Sequence, residues 1–189
     1  LRKKGAEVRP DYQSIYSPRT SSACQDCQKG VGSATFFISL KCHRDCFYCF
    51  NPNQEGYEHF REHTRDLVAE LQVLNASRRR VSHLALTGGE PLLHKEEAIR
   101  FFQEARPGFP GIYPRLYTCG DHVDRQTLQA LKDASMDEIR FSIRMQDLAN
   151  GQRHTYDQIA LAREYIPQVM VEMPVLPGTL EEMKEVLIE

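Results

Sequence analysis

The chain has 189 residues, with 24 Lys+Arg against 26 Asp+Glu, a formal net charge of -2 and 41% hydrophobic residues. That length suits one ordinary domain with a core of its own, and the balanced charge excludes the bulk attraction that draws proteins to nucleic acid or acidic membranes. No run approaches the roughly 18 apolar residues of a membrane span, so neither a membrane nor nucleic acid is an expected partner.

The start, Leu1-Arg2-Lys3-Lys4-Gly5, holds no apolar signal-peptide stretch. Residues 1–33 lack periodicity and carry Pro10, Pro18, Ser21, Ser22, Gly30 and Gly32, which predicts an irregular N-terminal segment holding the pair Cys24-x2-Cys27. From residue 34 the pattern alternates. An apolar, β-rich run over 34–40 precedes Leu67, Val68, Leu71 and Leu74, at helical spacing within 61–76. Further strands are expected at 81–87, 112–119, 137–143 and 168–173. Helices are expected at 95–105, 124–134, about 153–165 and from 180 onward. Five strand–helix units imply an α/β domain over 34–189 with a parallel sheet and right-handed crossovers. The chain opens on Leu1 rather than Met and stops at Glu189 inside an expected helix, so it is expected to be C-terminally incomplete.

Three cysteines, Cys42, Cys46 and Cys49, follow the first strand at the spacing Cys-x3-Cys-x2-Cys. A cluster of four irons normally takes four thiolates. Three leave one iron open, and at catalytic metal sites an open position is where a small molecule binds. No second Cys-x2-Cys or His pair follows at zinc-finger distance, although structural zinc remains the alternative. A disulfide framework needs a secreted context, whereas free cysteines grouped in this way predict a reducing, cytoplasmic compartment.

Chemistry in parallel α/β sheets and barrels sits at the carboxyl ends of the strands. The second strand ends at Thr87-Gly88-Gly89-Glu90-Pro91 and the third at Tyr117-Thr118-Cys119-Gly120-Asp121. The fourth ends at Ser142-Ile143-Arg144 and the fifth at Met173-Pro174-Val175. Alone, the Gly-Gly-Glu-Pro stretch is a strand-to-helix turn. It also exposes backbone donors and acceptors beside an anion, which suits an amino group.

Taken together, Cys42-His43-Arg44-Asp45-Cys46-Phe47-Tyr48-Cys49 and Thr87-Gly88-Gly89-Glu90-Pro91 resemble the radical S-adenosylmethionine (radical SAM) superfamily, in motif order and in strand order. The resemblance covers residues from about 34 to the end and implies a partial (β/α)6 TIM-type barrel with about five units visible. It implies a [4Fe–4S] cluster on Cys42, Cys46 and Cys49, with S-adenosylmethionine (SAM) on the fourth iron. Reductive cleavage then yields a 5′-deoxyadenosyl radical that takes hydrogen from a substrate, the cofactor carrying the hard chemistry. By position, Tyr48 matches an aromatic near the adenine, and Gly88, Gly89 and Glu90 the loop that binds the methionine amino group. Thr118 matches a contact to methionine or ribose, Ser142 a ribose contact, and Arg144 a partner for the methionine carboxylate. The segment 172–175 resembles one that borders the adenine.

The resemblance further implies an electron donor such as flavodoxin or ferredoxin. The substrate is expected to be a protein, a peptide or a small molecule. The stretch Asp137-Glu138-Ile139-Arg140-Phe141 and the strands after it diffusely resemble the branch related to pyruvate formate-lyase activating enzymes. Cys24 and Cys27 are candidate ligands of zinc or a second cluster, completed by Cys119 or a histidine, because two cysteines cannot close a tetrahedral site. Cys119 is also a candidate hydrogen-atom donor, and Asp121 a residue that faces the substrate. Two other classes stay open: a non-catalytic iron–sulfur electron-transfer module and a zinc-stabilised binding domain.

Overall fold

Side chains alternate between the two faces of a strand, and this decides which side of the sheet the helices cover. The computed structural model describes residues 7–8, 15–16, 21–28, 32–144 and 153–188. In chain order, β1 (Glu7–Val8) pairs antiparallel with β2 (Ile15–Tyr16), and α1 spans Ser22–Gln28. The main sheet is made of β3 (Ser33–Phe37), β4 (His83–Thr87), β5 (Tyr113–Thr118), β6 (Glu138–Ser142) and β7 (Gln168–Glu172). Its strands lie in the order of the sequence, each parallel to the next. This is the expected five-unit α/β architecture.

Helices α2 (Tyr57–Glu62), α3 (Leu67–Ala76), α4 (Lys95–Gly108), α5 (Arg125–Asp133), α6 (His154–Ala162) and α7 (Leu180–Ile188) complete the units. Every second residue of the sheet, Phe36, Leu84, Leu86, Leu116, Ile139 and Phe141, faces them and is buried. Opposite stand Leu67 and Leu71 of α3, Ala98, Phe101 and Phe102 of α4, and Leu128 and Leu131 of α5. The Phe101 ring lies 5.3 Å from Phe36 and 5.0 Å from Phe102, within the range of favourable tilted aromatic pairs. The α5 N-terminus is closed by Asp124, whose carboxylate accepts from the Thr127 amide at 2.7 Å, as a capping side chain should. Among the described residues, no helix is long and apolar enough to cross a membrane.

Three sequence expectations shift. The segment read as irregular contains α1. Its sequence, Ser22-Ala23-Cys24-Gln25-Asp26-Cys27-Gln28, has too few apolar residues to show a period, yet Ala23 is buried and Ser21 Oγ caps the Cys24 amide at 3.3 Å. The helix expected over 61–76 is two helices. Between them the Arg65 amide is drawn to Ile38 O at 2.8 Å, and Asp66 caps α3 by accepting from Ala69 N at 3.1 Å. Finally, β3 ends at Phe37 rather than Leu40. Ile38 and Leu40 stay buried, but beyond Phe37 the Leu40 amide turns to Phe60 O at 2.8 Å.

Candidate functional site

The five carboxyl ends of the sheet surround one cavity of about 590 Å³. Cys42, Cys46 and Cys49 line it together with Tyr48, and so do Thr118, Cys119, Ser142 and Arg144. Gly88, Gly89 and Glu90, from the end of β4, complete the lining. The candidate rim residues thus meet in one place, as the strand-end reading requires.

Two glycines let the β4 loop sit against the strand leading into the cysteines. Gly89 N donates to Ser39 O at 3.1 Å and Glu90 N to Lys41 O at 2.8 Å, extending the β3–β4 pairing past both strands. A Cβ on Gly89 would stand 1.9 Å from Lys41 O, and Gly88 has φ 126, open to glycine alone at no cost. Any other residue at 89 therefore pushes the cysteine loop away.

Glu90 fastens this loop to β5. Its carboxylate accepts from Leu92 N at 3.0 Å, Thr118 Oγ1 at 2.8 Å and Cys119 N at 2.7 Å. At 1% exposure it is buried with all three donors in place, as a buried carboxylate must be. Thr118 therefore reaches the site through Glu90, while Gly120 N in turn donates to Thr118 Oγ1 at 3.1 Å.

Asp121 fastens the cysteine loop itself. Arg44, two residues after Cys42, gives it two bonds, Nε–Oδ2 at 2.7 Å and Nη2–Oδ1 at 2.5 Å, and His43 Nε2 lies 2.6 Å from Oδ2. Such bidentate pairs are the strong charge-assisted kind. Burial opposes the Asp121 charge, but the bonds from Arg44 and His43 outweigh it and hold the carboxyl well below its ordinary range. Among the described residues, ligand atoms of His43, Cys119 and Asp121 gather within 4.8 Å, although Arg44 already occupies both carboxylate oxygens.

The thiols differ in setting. Burial raises the Cys42 thiol above its ordinary pKa, while the Arg44 amide, 3.4 Å from Sγ, favours the thiolate. Burial and the nearby Glu90 carboxylate raise Cys119 much further, so it is a protonated thiol at neutral pH. Cys24 does not join the rim: its Sγ accepts from Arg140 Nη2 at 3.0 Å, against the inner face of β6. Cys27 lies in α1, and its side chain falls outside the described residues.

Sequence reasoning missed several residues of the site. Asn51 is buried on the cavity wall and donates from Nδ2 to Gly88 O at 2.7 Å, tying the cysteine loop to the glycines a third time. Its position two residues past Cys49 was the available signal. Thr35 lines the cavity from within β3, where only strand alternation would have turned it inward, and Tyr117, at the expected end of β5, lines it too. Burial raises the Tyr117 hydroxyl against the pull of Arg140 and Arg115.

Comparisons with known proteins fit this arrangement. The family profile of the radical SAM superfamily matches residues 36–189. A protein of Methanocaldococcus jannaschii, provisionally named a glycyl-radical enzyme activating enzyme, is 26% identical over 167 residues, covering 85% of this chain. The chain spans only 44% of that relative's length. Among solved structures, Streptococcus suis SuiB bound to its precursor peptide SuiA shares the fold with a TM-score of 0.66 at 13% identity, over 99% of this chain and 46% of its own. Native anSMEcpe, with bound AdoMet and Cp18Cys peptide, gives 0.61 at 20% identity, over 82% of this chain and 46% of its own.

Proposed function

The chain belongs to the radical SAM superfamily, and from that premise we propose that its rim cavity binds SAM beside a [4Fe–4S] cluster held by Cys42, Cys46 and Cys49. The donor set fits: three thiols lining one cavity, with a peptide N–H on Cys42. When bound, the cluster supplies the electron that cleaves SAM to a 5′-deoxyadenosyl radical, which takes hydrogen from the substrate. The observation that carries this reading is the convergence of the three cysteines with the Gly88-Gly89-Glu90 loop on one cavity. A pure electron carrier has no use for that second loop.

The roles of the protein's own groups follow from their bonds. Arg44 and Asp121 fix the cysteine loop against the β5 rim, and Asn51 fixes it against Gly88. Glu90 holds the glycine loop and favours an ammonium group there by its charge. Ser142, Arg144 and Tyr48 line the same cavity, and by the family resemblance they take the ribose, the methionine carboxylate and the adenine respectively. Cys119 lies protonated on the wall, with its S–H directed to Asp121 Oδ2 at 3.5 Å, and is the candidate donor of a hydrogen atom. An electron donor of the flavodoxin or ferredoxin type and a peptide or protein substrate complete the reading. The M. jannaschii relative's name and the peptides bound by SuiB and anSMEcpe favour such a substrate. A metal on Cys24 and Cys27 is not part of this reading: Cys24 Sγ accepts from Arg140 Nη2, and the Cys27 side chain lies outside the described residues.

The test is anaerobic reconstitution followed by reduction with dithionite. The protein is expected to take up about four irons per chain and to release 5′-deoxyadenosine from SAM, and Cys46→Ala to lose both. A colourless protein that binds zinc and no iron would sink the proposal.

A further inference from the structure

The inner face of the sheet holds a guanidinium whose Nε has no hydrogen-bond partner among the described residues. Arg115 stands in β5, the middle strand, and its neighbour Leu116 is fully buried in the outer core, so alternation turns Arg115 inward. Strand register sets Thr35, Ala85, Arg115 and Glu138 side by side in one layer. Thr35 lines the cavity, which therefore reaches down to this layer. Ala85 places only a methyl group between Thr35 and Arg115 in this layer.

Arg115 is 7% exposed, and its Nε is buried without a hydrogen-bond partner among the described residues. Among the described residues no carboxylate pairs with it. The nearest ones are committed elsewhere: Glu138 accepts from Arg140 and from Tyr113 Oη at 2.9 Å, and Glu172 from Arg140 Nη1 at 2.6 Å. The Tyr117 ring lies within 5.6 Å of Arg115 and 5.4 Å of Arg140, with a guanidinium carbon near it from each. A buried donor left unpaired costs about 1–3 kcal/mol, and native proteins seldom keep one without a use for it.

We propose that Arg115 anchors a carboxylate of the substrate, drawn into the half-barrel beneath the rim cavity. This deepens the function proposed above, and rests on it, by naming an acidic substrate. A carboxylate matches one planar guanidinium fork. A phosphate, with nearly two charges, would be repelled by Glu138 and Glu172 and would find no second cation unengaged by them. The carboxylate belongs either to a small organic acid or to an acidic side chain of a peptide.

The experiment is an anaerobic calorimetric titration of the reconstituted protein at saturating SAM, which keeps Arg144 engaged. The probes are glutarate against glutaramide, and acetyl-Gly-Glu-Gly-amide against acetyl-Gly-Gln-Gly-amide. At least one acid is expected to bind about tenfold tighter than its amide, and the pair that shows the preference names the source. Arg115→Gln is expected to erase the preference and Arg115→Lys, which keeps the charge without the fork, to reduce it. Equal binding of acid and amide in both pairs would overturn the proposal, and that comparison needs only the unmutated protein. A preference that survives Arg115→Gln would overturn it too, by placing the anion elsewhere. Failure of the underlying reading looks different: a preparation that binds neither iron nor SAM.

Discussion

On the outer face of the sheet, Leu84, Leu86, Leu116, Ile139 and Phe141 are fully buried against helices, while on the inner face of the same strands stand Thr87, Arg115, Tyr117, Glu138 and Arg140. In a closed TIM barrel the interior is itself a packed core of branched apolar residues. Here the interior is polar and opens into a cavity, so the two faces do different work. The outer face supplies stability through burial. The inner face carries polar groups, among them an Arg115 Nε without a hydrogen-bond partner among the described residues, at some cost to stability.

The largest effect is expected where the outer face is cut. Phe101→Ala removes a fully buried ring that touches Phe36 and Phe102 and should cost about 3–5 kcal/mol in denaturant unfolding. On the inner face, Arg140→Met should cost somewhat less, about 3 kcal/mol, because it strands the fully buried Glu138 with Tyr113 as its remaining partner. Adding Glu138→Gln to Arg140→Met should recover part of that loss, since paired residues do not add. If Phe101→Ala unfolds nothing while Arg140→Met unfolds the chain, the division between the faces fails.

The faces also differ in how far the sequence reveals them. Outer-face helices announce themselves by spacing, and α4 and α5 fall near their expected positions. Rim residues were legible through two short motifs, because cysteine spacing and paired glycines each have a physical reason to sit at strand ends. The clamp of Arg44 and His43 on Asp121 was not legible. Its partners lie 77 and 78 residues apart, and no local pattern joins them. Nor was the inner layer, since an arginine or glutamate within a short strand reads equally as a solvent-facing residue until the register is known. Helix α1 escaped for the opposite reason: it is held by Arg140 bonds to Ser21 and Cys24, across 119 and 116 residues, rather than by any period of its own.

The smallest effect is the one with the opposite sign, and it separates a structural arginine from a binding one. Arg115→Met removes an unpaired buried Nε and leaves a flexible apolar side chain of similar length in the same space. Relief from the unmet hydrogen bond is worth about 1–3 kcal/mol. The lost contact with the Tyr117 ring takes back about 0.5–1 kcal/mol. Glu138 keeps Arg140 and Tyr113, so no carboxylate is stranded, in contrast to Arg140→Met. The net expectation is a gain of about 1 kcal/mol, read as a higher denaturant midpoint at unchanged slope. A loss of similar size would mean that Arg115 holds the sheet together, and the inner face would then be a second core.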